Sequence, residues 1–115
     1  MLTTQRLSEA VQRVAASATR PATVIVFGSY ARGDADEGSD LDLLVIEPEL
    51  TDKAGEYLRL KEAIGRIGVG VDLLLFSQHD FERRSQVPGT LPYWAKTEGR
   101  VLYEPTGASE GRRRS

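Results

Sequence analysis

The chain has 115 residues and a mass of 12.7 kDa, enough for one domain and short of two. Hydrophobic residues make up 40% and charged residues 28%, an ordinary globular balance, and the absence of cysteine excludes disulfide scaffolds, zinc ribbons, iron–sulfur sites and thiol nucleophiles. With 15 Lys and Arg against 17 Asp and Glu, the net charge of -2 makes no global claim on nucleic acid, and no apolar stretch is long enough for a membrane span.

In chain order, Leu7, Val11, Val14 and Ala18 fall at spacings of four, three and four, which predicts an amphipathic first helix ended by Pro21. Residues 22–27 form a continuous, largely β-branched run between Pro21 and Gly28, the pattern of a buried central strand. The chain is then small and polar through Ser39. Residues 40–46 read as a second strand, stopped by Glu47 and Pro48. Tyr57, Leu60, Ile64 and Ile67 predict the apolar face of a second helix over about residues 52–66, broken by Gly65, Gly68 and Gly70.

Residues 71–76 read as a third buried strand. Ser77 can cap a short helix after it, with Asp80 as a capping-box partner. A further helix is expected near Thr90 with Pro92 in its first turn, where Tyr93 and Trp94 should pack into the core. Residues 100–103 predict a last, marginal strand. From Pro105 to Ser115 the sequence is rich in Gly, Ser and Arg, which predicts a disordered tail after a domain at residues 1–104. The fold class expected is α/β, an α+β arrangement of one small mixed sheet with helices packed against it.

Chemistry concentrates between Gly28 and Asp42. Asp34, Asp36, Glu37, Asp40 and Asp42 crowd together, a cluster that repels phosphate unless a cation intervenes. Asp40 and Asp42, two apart on an expected strand, project from one face, and hard oxygen ligands of this kind select Mg²⁺ or Mn²⁺. Gly28 and Ser29 follow a buried strand and open a turn of helix, a place where backbone N–H groups meet anions. Arg32, one turn on, reaches either a phosphate or a local aspartate.

Asp72 stands alone in an otherwise apolar strand, where an unpaired buried carboxylate would cost several kcal/mol. Should that strand lie beside the second, Asp72 completes a three-carboxylate cluster of the kind that holds two metals ~3.5–4 Å apart. Each signal alone is weak: D-x-D pairs and Gly-Ser turns are common. Together, in this order, they are specific. His79 without further ligands reads as a surface residue, and Arg83 and Arg84 as a solvated helix face.

Gly28-Ser29, ten residues, then Asp40-Leu41-Asp42 resembles the signature of the DNA polymerase β-type nucleotidyltransferase superfamily. With Ala31-Arg32-Gly33, Ser39 and the ending Gly99 to Glu104, the likeness is strongest to its minimal (MNT) group and runs from the first helix to about Glu104. The resemblance implies the polymerase β-like nucleotidyltransferase fold. It implies that Asp40 and Asp42 bind two Mg²⁺ ions, Mn²⁺ being an alternative. Asp72 would join at the catalytic metal and help activate the attacking hydroxyl.

Gly28 and Ser29, with Arg32 and Ser39, would hold the ATP phosphates. The reaction implied is attack of a hydroxyl on the α-phosphorus with loss of pyrophosphate. Larger relatives carry a further domain for the acceptor, and the 115 residues here are expected to hold none. MNT proteins of this size pair with an all-helical HEPN RNase toxin, so a complex with such a partner is expected, with AMP transferred to a toxin tyrosine and the chain acting as antitoxin. Two rival expectations are neutralisation by binding alone and transfer to a small molecule, as in aminoglycoside nucleotidyltransferases. A cytoplasmic protein that touches neither membrane nor nucleic acid directly is expected, its polar N-terminus being unlike a signal peptide.

Overall fold

Nine elements follow one another in the computed structural model, which describes residues 1–105. They are α1 (Thr4–Ser17), β1 (Thr23–Phe27), α2 (Ser29–Arg32), β2 (Leu41–Glu47), α3 (Lys53–Ile64), β3 (Val71–Ser77), α4 (Gln78–Arg84), α5 (Leu91–Glu98) and β4 (Arg100–Tyr103). The order is the one the sequence predicts. Beyond Pro105, the tail expected to be disordered lies outside the described residues. None of the helices among them is long and apolar enough to cross a membrane.

Four helices begin on a side-chain cap, because the first N–H groups of a helix have no partner within it. Thr3, Asp52, Ser77 and Thr90 accept hydrogen bonds from the backbone N–H groups of Arg6, Gly55, Asp80 and Tyr93. Ser77 is thus the cap its position suggests. Asp80, however, pairs with Arg83 at 3.3 Å and is not seen reaching back to the cap. At the other end of α3, Arg13 of α1 donates to the carbonyls of Ala63 and Ile64 at 3.0 and 3.1 Å. That contact fixes two helices side by side by satisfying carbonyls the helix cannot use.

The sheet has the order β3-β2-β1-β4. β1 runs antiparallel to both β2 and β4, while β2 and β3 are parallel and joined by α3. A parallel neighbour needs such a helical crossover, since a tight turn can only reverse the chain. β1 and β2 are the central strands, and their apolar runs are buried accordingly. β3, expected to be buried, is an edge strand, and its Asp72 is exposed. The cost of burying a lone aspartate therefore does not arise.

Strand alternation divides the core between the two faces of the sheet. Leu41, Leu43 and Val45 face Val11 and Val14 of α1 and Leu60 and Ile64 of α3. Ile25, Phe27, Leu44 and Ile46 form the other face, covered by Phe81 of α4 and Ala95 of α5. Two aromatic residues depart from their expected places in the core. Tyr57 lies one position off the buried stripe of α3, which is Glu56, Leu60 and Ile64, and is exposed. Trp94 keeps 42% of its surface exposed and meets Tyr93 edge-on, at 5.3 Å between ring centroids.

Candidate active site

β1 ends where Gly28 turns the chain with φ +73° and ψ -151°, a conformation that is essentially glycine's alone. One turn of helix follows. The N–H groups of Ala31 and Arg32 both bond to the Gly28 carbonyl at 3.1 Å, and Gly33, in the left-handed region at φ +85°, closes the turn on the Ser29 carbonyl. Without a side chain, Gly28 can lie flat against the neighbouring strand. A β-carbon there would overlap the Asp42 carboxylate, 3.2 Å from its carbon.

Asp42 belongs to β2 and pairs in register with Phe27 of β1 on one side and Asp72 of β3 on the other. Register neighbours in a sheet project from the same face, so parallel pairing brings Asp42 and Asp72 together. Asp40 sits one residue before β2 begins. Its carboxylate lies against Gly70, where a β-carbon would stand 3.1 Å from the carboxylate carbon, and the Leu41 N–H holds the Gly70 carbonyl at 2.8 Å.

The consequence is a crowded set of negative charges. Burial pushes the Asp42 carboxyl up to about 6, and the adjacent Asp72, by hydrogen bonding and by charge, and then Asp40 push the same way, with Arg32 pulling in the opposite direction. A donor set made only of carboxylate oxygens, one of them resisting ionisation among like charges, is the chemistry that a hard divalent cation relieves. Among the described residues no three Asp, Glu or His side chains already stand together as ready metal ligands. Asp42 and Asp72 provide a facing pair, and Asp40 is the adjacent third carboxylate.

The other predicted residues divide. Gly28 and Ser29 open the single turn of α2, and Arg32 ends it. Arg32 pairs with Asp34 at 3.3 Å and with Glu98 of α5 at 3.8 Å, contacts that fix the loop as the sequence allowed. Ser39 instead braces its own turn: its hydroxyl accepts from the Asp36 N–H at 2.9 Å and lies 3.2 Å from the Asp36 carboxylate.

Two adjoining hollows open beside these groups. Phe27, Gly28, Arg32, Leu91, Trp94 and Glu98 line one, and Asp42, Tyr57, Asp72 and Leu74 line the other, with Phe27 and Leu91 common to both. Tyr57, Leu91, Trp94 and Glu98 were not evident as site residues in the sequence. Only an aromatic on a short late helix gave any signal, and the core was its simpler destination.

The chain matches the nucleotidyltransferase domain family over residues 6–92, a span that takes in the turn, both strands and Asp72. Two Methanocaldococcus jannaschii proteins, provisionally named protein adenylyltransferases MJ1305 and MJ0141, are relatives over shorter stretches. The first is 39% identical over 71 residues, 57% of this chain and 48% of the relative. The second is 63% identical over 52 residues, 45% of this chain and 52% of the relative. The chain spans about half the length of the curated relatives it matches.

Among solved structures, a toxin–antitoxin complex with AMP-PNP contains a chain that superposes with a TM-score of 0.62 at 17% identity, covering 90% of this chain and 77% of that one. A Shewanella oneidensis complex of tri-AMPylated HEPN toxin with MNT antitoxin gives a TM-score of 0.55 at 18% identity, over 92% of this chain and 77% of that one. At such identities the likeness is one of fold. The match across residues 6–92 covers the site as well as the frame that holds it, and by that match the chain belongs to the nucleotidyltransferase domain family.

Proposed function

We propose that the chain is a Mg²⁺-dependent protein adenylyltransferase that moves AMP from ATP to a tyrosine hydroxyl of a HEPN-family partner, and so acts as an antitoxin. The observation that carries this reading is the pairing of Asp42 with Asp72 across β2 and β3, beside the glycine turn at Gly28. A surface for protein contact alone has no use for two facing carboxylates, one of which the other pushes up.

In this reading the Gly28–Ser29 turn receives the β- and γ-phosphates through the unpaired N–H groups of a helix start and the Ser29 hydroxyl. Arg32 adds a positive charge on the same side. Asp42 and Asp72, joined by Asp40, would hold Mg²⁺, which when bound supplies charge neutralisation for the triphosphate and for the developing charge at phosphorus. Asp72, exposed on the edge strand, is open to an incoming hydroxyl and can take its proton. The acceptor oxygen forms a bond to the α-phosphorus while the bond to the pyrophosphate oxygen breaks, and the chain's contribution is position and charge.

The partner rests on the company the fold keeps: one solved neighbour is a complex of MNT antitoxin with a tri-AMPylated HEPN toxin, another a toxin–antitoxin complex with AMP-PNP. The provisional names of the two curated relatives support protein adenylylation. The test is incubation of the full chain with ATP labelled at the α-phosphate, Mg²⁺ and a HEPN-family partner. Label on a partner tyrosine, absent with Asp42→Asn or without Mg²⁺, is expected. Neutralisation of the partner that survives Asp42→Asn would replace transfer by binding.

A further inference from the structure

Far from Asp42, the last residue of the same strand raises a separate question. Glu47 is 1% exposed, and neither of its carboxylate oxygens receives a hydrogen bond. Beside it is Glu56, the next most buried acid among the described residues, 6% exposed in the first turn of α3. Glu56 is well supplied: Thr19 donates to it from its backbone N–H at 2.7 Å and from its hydroxyl at 2.5 Å, and Arg59 donates at 3.3 Å. The two acids line a hollow with Thr19, Arg20, Thr51 and Asp52.

Two ionised carboxylates, buried and facing, would repel, and an unsatisfied one would carry its full desolvation cost. One proton between them removes both penalties. We propose that Glu47 keeps its proton at neutral pH and donates it to the Glu56 carboxylate, so that a carboxylic acid–carboxylate pair latches the end of β2 to α3 and to the α1–β1 turn. The division of roles follows from the surroundings. Glu56, with three donated hydrogen bonds, is the ionised acceptor, and Glu47, opposed only weakly by Arg20, is the acid.

Burial, together with the hydrogen bond to Glu56 and its charge, pushes Glu47 up to about 8, opposed by the Arg20 backbone and guanidinium. Burial alone would raise Glu56 too, but the bonds from Glu47 and Thr19 and the Arg59 charge outweigh it and hold it down at about 2. The charges around the pair are Arg20 from the α1–β1 turn, Glu49, which pairs with Arg20 at 4.0 Å, Asp52, which caps α3, and Arg59 within it. Asp52 spends its carboxylate capping α3 through the Gly55 N–H at 3.1 Å.

The sign follows from where the proton sits. A carboxyl whose folded value lies above its ordinary 4.5 binds its proton more tightly in the native chain, so its stabilisation is complete below about 4.5 and is lost as pH rises to about 8. Glu47→Gln keeps a donor to Glu56 and cannot ionise. Unfolding of the full chain in denaturant, followed for wild type and Glu47→Gln across pH 5–10, reads the difference. The ratio of the two folding constants is expected to move in favour of the variant by up to about tenfold per pH unit between pH 5 and 8, then level off.

Parallel stability curves over that range would overturn the proposal. Carbon-13 NMR titration of the wild-type glutamate carboxyls tests it without any variant. A Glu47 carboxyl that titrates above pH 7 supports the shared proton, and one that titrates in the ordinary carboxylate range overturns it.

Discussion

Gly28 and Asp42 are packed so closely that a β-carbon on the first would overlap the carboxylate of the second, although Gly28 follows β1 and Asp42 lies in β2. The φ of +73° at Gly28 adds a second, independent demand for glycine. Gly28→Ala is therefore expected to cost about 1–3 kcal/mol of stability through strain and to displace Asp42. Transfer should fall at least ~100-fold, since a displacement of about 1 Å is enough for that. Chemical denaturation and a label-transfer assay on the same preparation measure the two effects.

Asp42→Asn separates function from stability. The Asp42 carboxyl is raised from 3.8 to about 6, so the folded protein binds that proton more tightly than the unfolded chain. Its stabilising share is complete below 3.8 and is lost as pH rises through about 6. At pH 7 the wild type bears the repulsion and the amide does not. In the absence of divalent ions, Asp42→Asn should be more stable at pH 7 by about 1–2 kcal/mol, after allowing for solvent screening. The advantage should vanish near pH 4, while label transfer is abolished at every pH. Melts in chelator at the two pH values test the sign, and equal differences at both would refute it.

The elements were legible in the sequence because their signals are local. Continuous β-branched runs such as residues 22–27 lie between Pro and Gly, and caps such as Ser77 and Thr90 stand immediately before their helices. The pairing of Asp42 with Asp72 was legible only as a condition, since it depends on a parallel register set by the α3 crossover. Tyr57 was misplaced for a related reason. Periodicity seeks an apolar stripe, whereas α3 turns Glu56 inward because Thr19 and Glu47 await it there. A buried acid looks like a surface residue until its partners are known. Trp94 stays half-exposed because α5 spends Ala95 and Pro92, its smaller residues, on packing.

Asp72 contrasts with Asp42 because it lies exposed on an edge strand. Substitutions at such positions usually change stability by no more than about 0.5 kcal/mol. Asp72→Ala, which also removes a charge facing Asp42, is expected to melt no lower than the wild type. Its turnover should nonetheless fall by about 100-fold or more, the usual contribution of a positioned proton acceptor, with less change in KM for ATP. A thermal melt and steady-state kinetics with ATP varied decide this. Turnover near the wild-type level would remove Asp72 from the site.

Arg32 provides the opposite kinetic signature. Its ion pairs with Asp34 and Glu98, at 3.3 and 3.8 Å, are solvent-exposed, with about half of the Arg32 side chain accessible (49%). Exposed pairs of this kind contribute at most about 1 kcal/mol, so Arg32→Ala should fold with little loss. Its charge lies on the Gly28 side of the cleft, where the triphosphate is proposed to sit, and its removal acts on ATP before the reaction begins. The expected result is a rise of about tenfold in KM for ATP with a smaller change in kcat, because an interaction made equally in ground and transition states changes binding alone. Arg32→Lys should restore only part of it, since an ammonium lacks the fixed planar fork with which a guanidinium bonds two phosphate oxygens. If both substitutions leave KM unchanged, Arg32 serves the loop through Asp34 and Glu98 and does not touch the nucleotide.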